Sequence, residues 1–147
     1  MEIEQVIETV RGLDGALVVQ PAEGDGSPTL AWGDTFLYHA PDGVVPERTQ
    51  PWATITTKDY PGDEASRLGP GRFRVNVHVG RDRAAEVVST EDPAEVDAIA
   101  AHPAYGALGW VSIVNPGERT AATLRRLLHE AHEATRARAA RRERARS

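Results

Sequence analysis

The sequence predicts an α+β domain: an antiparallel sheet with an N-terminal helix, two short helices and a C-terminal helix packed on one of its faces. Three observations carry this expectation. Apolar residues recur at helical spacing at both ends of the chain, as Ile3, Val6, Ile7 and Val10 and again as Leu124, Leu127, Leu128 and Ala131. Between those ends, short β-branched and aromatic runs follow one another with turn residues between them. Strands gathered between helices fit an α+β fold better than a doubly wound parallel sheet. Finally, Arg72 to Val79 alternates strictly, with Phe73, Val75, Val77 and Val79 on one side and Arg72, Arg74, Asn76 and His78 on the other. Successive strand residues point to opposite faces, so one side packs on a core and the other meets solvent or a ligand.

The elements follow in order. The first helix is stopped by Gly12 or by Asp14-Gly15. Ala16 to Gln20 is a short apolar strand, and PAEGDGSP (21–28) is a loop by composition. Thr29–Trp32 and Thr35–His39 read as two strands of a hairpin around Gly33-Asp34, with positive φ at the glycine. Trp52 to Thr57 is a β-branched strand, whereas Asp59 to Gly71 holds too many prolines and glycines for regular structure throughout. Two short helices are expected near 81–89 and 93–101, the second opened by Asp92 as cap and Pro93 in the first turn. Trp110 to Val114 is a strand closed by the turn Asn115-Pro116-Gly117, and the last helix starts near Thr120. Past Thr135 it has no apolar stripe beyond alanines and is expected to fray.

A chain of 147 residues suits one domain, here 1–135, followed by a flexible arginine-rich tail over 136–147. With no cysteine, thiol catalysis, disulfides and zinc–thiolate sites are excluded. The start MEIEQVIETV has neither the basic opening nor the apolar block of a secretory signal. No apolar run approaches the roughly 20 residues of a spanning helix, so a soluble, cytoplasmic protein without a membrane partner is expected. The net charge of −5 is unevenly spread, since the tail carries +5 and residues 1–135 carry −10. An acidic body repels phosphate backbones, which counts against nucleic acid as a partner.

Several groups of residues are candidates for chemistry. Arg72, Arg74, Asn76 and His78 would stand about 7 Å apart along one strand face. Two guanidiniums there would clamp an anionic small molecule, and His78 would move a proton near neutral pH. The plainer reading is a solvated face whose arginines pair with neighbouring carboxylates. Trp32 and Trp52, with Trp110, would either line an apolar pocket with Tyr38 and Tyr60 at its mouth or anchor the core. His102-Pro103-Ala104-Tyr105 offers a His–Tyr pair, or a helix end with Tyr105 as a lid. His129 and His132 are three apart, not the four of a zincin motif, so a polar helix flank is the better reading and no metal is assigned. Asp59, Asp63 and Glu64 make an acidic turn without the alternating pattern of a calcium loop. No glycine pattern marks a dinucleotide or nucleotide cofactor, and none is assigned.

The stretches GDGSPTLAWGDTFLYHAPDGVVP, QPWATITTKDYPGDEASRL, FRVNVHVGR and HPAYGALGWVSIVNPGERTAATLRRLLHEAH resemble an uncharacterised bacterial family catalogued as a domain of unknown function, DUF6194. DYPGD (59–63) and GWVSIVNPG (109–117) are its most specific marks. The family supplies no activity. A remoter similarity is to the MmcQ/YjbR-like proteins, small α+β domains that end in a tryptophan strand, a turn and an amphipathic helix, as Trp110 to His132 does here. That resemblance implies the fold and an idea of nucleic-acid binding, which would fall here to the arginine tail.

The function expected from the sequence is therefore binding of a small molecule or a protein partner at the polar sheet face, through Trp32, Trp52, Arg72, Arg74, Asn76 and Tyr105. A cofactor-independent enzyme with His78 as its acid–base group is the first alternative, and nucleic-acid binding through the tail is the second. Pairing of two copies through a free sheet edge is open as well.

Overall fold

The alternating run becomes the middle of the sheet. The computed structural model describes residues 1–146, and among them the chain forms α1 (Ile3–Arg11), β1 (Ala16–Val19), β2 (Thr35–His39), β3 (Ala53–Thr56), β4 (Arg74–His78), α2 (Arg81–Val87), β5 (Ile99–Ala101), β6 (Trp110–Val114) and α3 (Ala121–Arg146). The six strands lie in the order β1-β2-β3-β4-β6-β5, with every neighbouring pair antiparallel. This is the α+β architecture that the sequence predicts.

Register assigns the faces. Leu37 lies opposite Ala53, Ala53 opposite Val77, and Val77 opposite Val111. In the next such row Ile55, Val75, Ile113 and Ile99 stand side by side. These residues form one buried cluster with Val6, Ile7 and Val10 of α1, Ala84 of α2, and Leu124, Leu127, Leu128 and Ala131 of α3. Full burial of one such leucine is worth about 1.5–3 kcal/mol, so this face holds most of the fold's stability. All three helices therefore sit on one side of the sheet.

Two predicted elements take other forms. Thr29–Trp32 is not a strand: Thr29–Ala31 is a single 3-10 turn behind Pro28, and β1 takes its place beside β2. Leu30 is 44% exposed there, so the segment has no apolar row to offer the sheet. Gly33 does adopt positive φ (+85°), but in a turn that leads from the 3-10 segment into β2 rather than in a hairpin. The second short helix, expected over 93–101, is also absent. Asp92 does open a turn, its Oδ1 accepting the Ala94 N–H at 2.9 Å. Asp97 then takes φ +56°, which no helix continues through, and Ile99–Ala101 joins the sheet as β5.

Asp97 has a job at a distance. Its Oδ1 accepts the N–H groups of Gly117 and Thr120 and the Thr120 hydroxyl, and its Oδ2 accepts the Arg119 N–H, capping the start of α3 from another segment. Burial opposes the charge, but these bonds hold the Asp97 carboxyl below its usual pKa. Gly117 is required by this contact and not by its φ, because a Cβ there would lie 2.9 Å from the carboxylate. The positive φ of the Asn115-Pro116-Gly117 turn falls on Asn115 (+44°), whose side chain bonds the Phe73 N–H and the Gly71 carbonyl and so braces the start of β4. α3 continues as helix past Thr135 to Arg146, with its terminal arginines on the outside; Ser147 of the tail lies outside the described residues.

Candidate functional site

The helix-free face of the sheet is polar where the other is apolar. Phe36, Thr54, Asn76, Ser112 and Ala100 form one row across it, and Thr56, Arg74 and Val114 form the next. This face is not the open surface that the alternation of β4 suggests: Arg74, Asn76 and Ser112 are each 1% exposed. The cover comes from the irregular segment after β3 and from the connection between β5 and β6.

From the first of these covers, Asp63 and Ser66 reach Arg74. The guanidinium makes a two-pronged pair with Asp63, Nη1 to Oδ1 at 3.0 Å and Nη2 to Oδ2 at 2.6 Å, and Nη1 also donates to the Ser66 hydroxyl at 2.9 Å. Burial alone would raise the Asp63 pKa, but the bonds and charge of Arg74 hold it below the usual carboxylate range. Arg74 thus reaches the face with its charge already matched.

The second cover brings His102, which is 6% exposed. Its Nδ1 accepts the backbone N–H groups of Ala104 at 3.0 Å and Tyr105 at 3.1 Å. Nε2 stands 3.3 Å from Arg74 Nη2 and 3.8 Å from Asp63 Oδ2. Burial and the charge of Arg74 press the His102 pKa down to about 4, against the pull of Asp63. The ring is therefore neutral at physiological pH, with both nitrogens already facing groups of the protein.

These groups lie at the floor of a cleft of about 550 Å³. Gln50, Thr54, Thr56, Arg74, Asn76 and His102 supply its polar lining, while Phe36, Tyr38, Pro51, Tyr60, Tyr105, Leu108 and Trp110 make apolar and aromatic walls. Tyr105 stacks at 5.0 Å on His102, and Trp110 meets the same ring edge-on at 6.4 Å. On the far wall, the Tyr60 hydroxyl donates to Asp34, a buried carboxylate that also accepts from the Thr57 N–H and hydroxyl and pairs with Lys58 at 3.1 Å. Burial and Asp34 together raise the Tyr60 pKa, so the phenol stays protonated. Tyr105 (54%) and Leu108 (57%) leave the rim exposed.

Hydrogen bonding at the floor is incomplete. Asn76 Nδ2 donates to the Thr54 and Thr56 hydroxyls at 3.0 and 3.2 Å, but its Oδ1 has no partner. The Nε of Arg74 and the hydroxyl of Ser112, next to Asn76 in register, are buried without partners too.

Of the seven residues assigned to the expected site, the cleft gathers Arg74, Asn76 and Tyr105, and it adds the other candidates Tyr38, Tyr60, His102 and Trp110. The other four lie elsewhere. Trp52 is buried on the helix side, its ring 5.4 Å from that of His132. Trp32 is half-buried beside Lys58, which bonds its carbonyl. Arg72 spends its guanidinium on the carbonyls of Ser66, Arg67 and Ala94 and clamps no anion. His78 donates from Nε2 to the Leu108 carbonyl at 2.9 Å, against Trp110 and outside the cleft lining. His132 pairs with His39 at 3.3 Å, and among the described residues no group of three or more His, Cys, Asp or Glu is placed to hold a metal ion.

Thr54 and Thr56 in the lining, Asp63 and Ser66 behind Arg74, and Phe36, Gln50, Pro51 and Leu108 in the walls are residues that sequence reasoning did not place in the site. DYPGD and His102–Tyr105 each stood out as separate motifs, and Arg74 is the group that joins them. No helix among the described residues is long and apolar enough to cross a membrane. No curated protein and no solved structure matches the chain. Residues 1–144 match the Family of unknown function (DUF6194), and the chain belongs to that family.

Proposed function

We propose that this chain is a small-molecule-binding domain and that the cleft on the helix-free face is its site. One observation carries the reading: Asn76 lies buried in the cleft floor with an unpartnered Oδ1. A buried polar atom left without a partner costs about 1–3 kcal/mol. A polar group brought in through the cleft offsets that cost, which water-filled space or a bound ligand both do. The aromatic walls favour the ligand, because a mostly apolar cavity of about 300–1,000 Å³ with a few convergent polar groups is the usual form of a small-molecule site.

If the cleft also performs chemistry, His102 is better placed than His78. It lines the cleft, and His78 does not. An activity that survives His102→Gln undiminished would remove that role. A cytoplasmic location belongs to the same proposal. The likeness to MmcQ/YjbR-like proteins names no ligand and carries none of this.

A thermal-shift screen of neutral, anionic and cationic metabolites tests the proposal. A ligand at a hundred times its Kd adds about 2.7 kcal/mol to stability. Hits whose shift shrinks in Tyr105→Ala, a change at an exposed rim residue, support the cleft. Hits that keep their full shift in Tyr105→Ala and in Trp110→Leu place binding elsewhere and overturn it.

A further inference from the structure

The chemistry of the cleft narrows its ligand, and this step rests on the cleft being a binding site. Arg74 is the charged residue in the lining, and Asp63 takes both of its terminal nitrogens. His102 is held neutral by the two N–H groups on its Nδ1. An anion entering the cleft would lose its hydration and meet no unmatched cation in return. A neutral ligand carries no such penalty.

The floor offers both kinds of hydrogen-bonding group. Asn76 Oδ1 is an acceptor in need of a donor. Arg74 Nε–H is a donor in need of an acceptor. A ligand that answers both carries an N–H and a C=O side by side. Above the floor, Phe36, Tyr38, Tyr60, Tyr105 and Trp110 present aromatic rings that suit a flat ligand.

We infer that the cleft binds a neutral planar ring bearing a cyclic amide edge, its N–H donated to Asn76 and its carbonyl facing the Nε of Arg74. The amide edge is what the unpartnered floor recognises, and the ring is what the walls recognise.

The test uses pyridone and uracil as cyclic amides, N-methylpyridone with the donor removed, toluene with neither polar group, and benzoate as an anion. Binding to the full chain is followed by tryptophan fluorescence and by the NMR signals of the Asn76 side-chain amide. Pyridone is expected to bind at least about tenfold more tightly than N-methylpyridone or toluene, the loss that one unmade buried hydrogen bond brings. It should also shift the Asn76 signals. Asn76→Leu should abolish the preference for the amide while leaving toluene binding in place, and Tyr105→Ala should weaken all flat probes alike. The comparison among probes needs no variant, so it stands even where Asn76→Leu fails to fold. Equal binding of pyridone, N-methylpyridone and toluene within the cleft overturns the amide inference and leaves the cleft as a site. Tighter binding of benzoate than of pyridone overturns it in the same way. No shift of any cleft signal at millimolar probe overturns both.

Discussion

On the helix-covered face of the sheet, Leu37, Ile55, Val75, Val77, Val111 and Ile113 are at most 1% exposed and meet the apolar stripes of α1 and α3. On the opposite face Arg74, Asn76 and Ser112 are buried to the same degree, yet they are polar and three of their atoms lack partners. The same strands carry both faces, so the difference lies in what covers each. Helices bring apolar side chains and complete their own backbone hydrogen bonds. Irregular segments bring Asp63, Ser66 and His102 and leave a cleft between them. Burial on the first side is apolar contact; burial on the second holds polar groups whose hydrogen bonds must be matched one by one.

This contrast can be broken or sharpened by substitution. The largest effect belongs to the charge pair that roofs the polar face. Arg74→Leu removes the partner of the half-buried Asp63 carboxylate and the hub of a buried network, and should cost about 3–5 kcal/mol, read by urea denaturation; a loss under about 1 kcal/mol would mean that the pair is solvated. Leu127→Ala on the helix side removes a side chain of 0% exposure and should cost about 2–5 kcal/mol in the same assay.

Acid should act on the polar face next. The folded His102 pKa of about 4 lies below its ordinary 6.5, so the unfolded chain takes up the proton first. The stability tied to this group is complete above about pH 6.5 and is lost as pH falls towards 4, by on the order of 3 kcal/mol. Asp63, also depressed, adds its loss as pH falls below its ordinary 3.8. Denaturation midpoints for wild type and His102→Gln across that window check the sign: the variant should show the flatter profile. The smallest effect is the most telling about the comparison. Ser112→Ala deletes a buried hydroxyl that has no partner, so stability should stay level or rise by up to about 1 kcal/mol. A clear loss would show that the hydroxyl is bonded after all.

Much of the helix side was legible from the sequence because its signals are local. The period of Ile3 to Val10 and of Leu124 to Ala131 names the helices, and the alternation through Phe73 to Val79 names both faces of β4. The cleft was legible only in fragments. Arg74 meets Asp63 from eleven residues away and His102 from 28, and no period in the sequence records such pairings. For the same reason, alternation marked Arg74 and Asn76 as outward without telling that loops would bury them. His78 continues that alternation but lies past the covered part of the face, against the Leu108 carbonyl. Val96 and Ile99 imitate a helical stripe, and only the left-handed Asp97, recruited to cap α3, turns that segment into an edge strand.

The most direct test of the central claim is NMR mapping of ligand binding on the isotopically labelled protein. A library of small neutral and charged compounds is added while side-chain signals on both sheet faces are followed. The account predicts that bound compounds shift Asn76, Tyr105 and Trp110 together and leave the Leu124–Leu128 methyl signals in place. Shifts confined to α3, to His78 or to the arginines after Thr135, with the cleft signals unmoved, would contradict it.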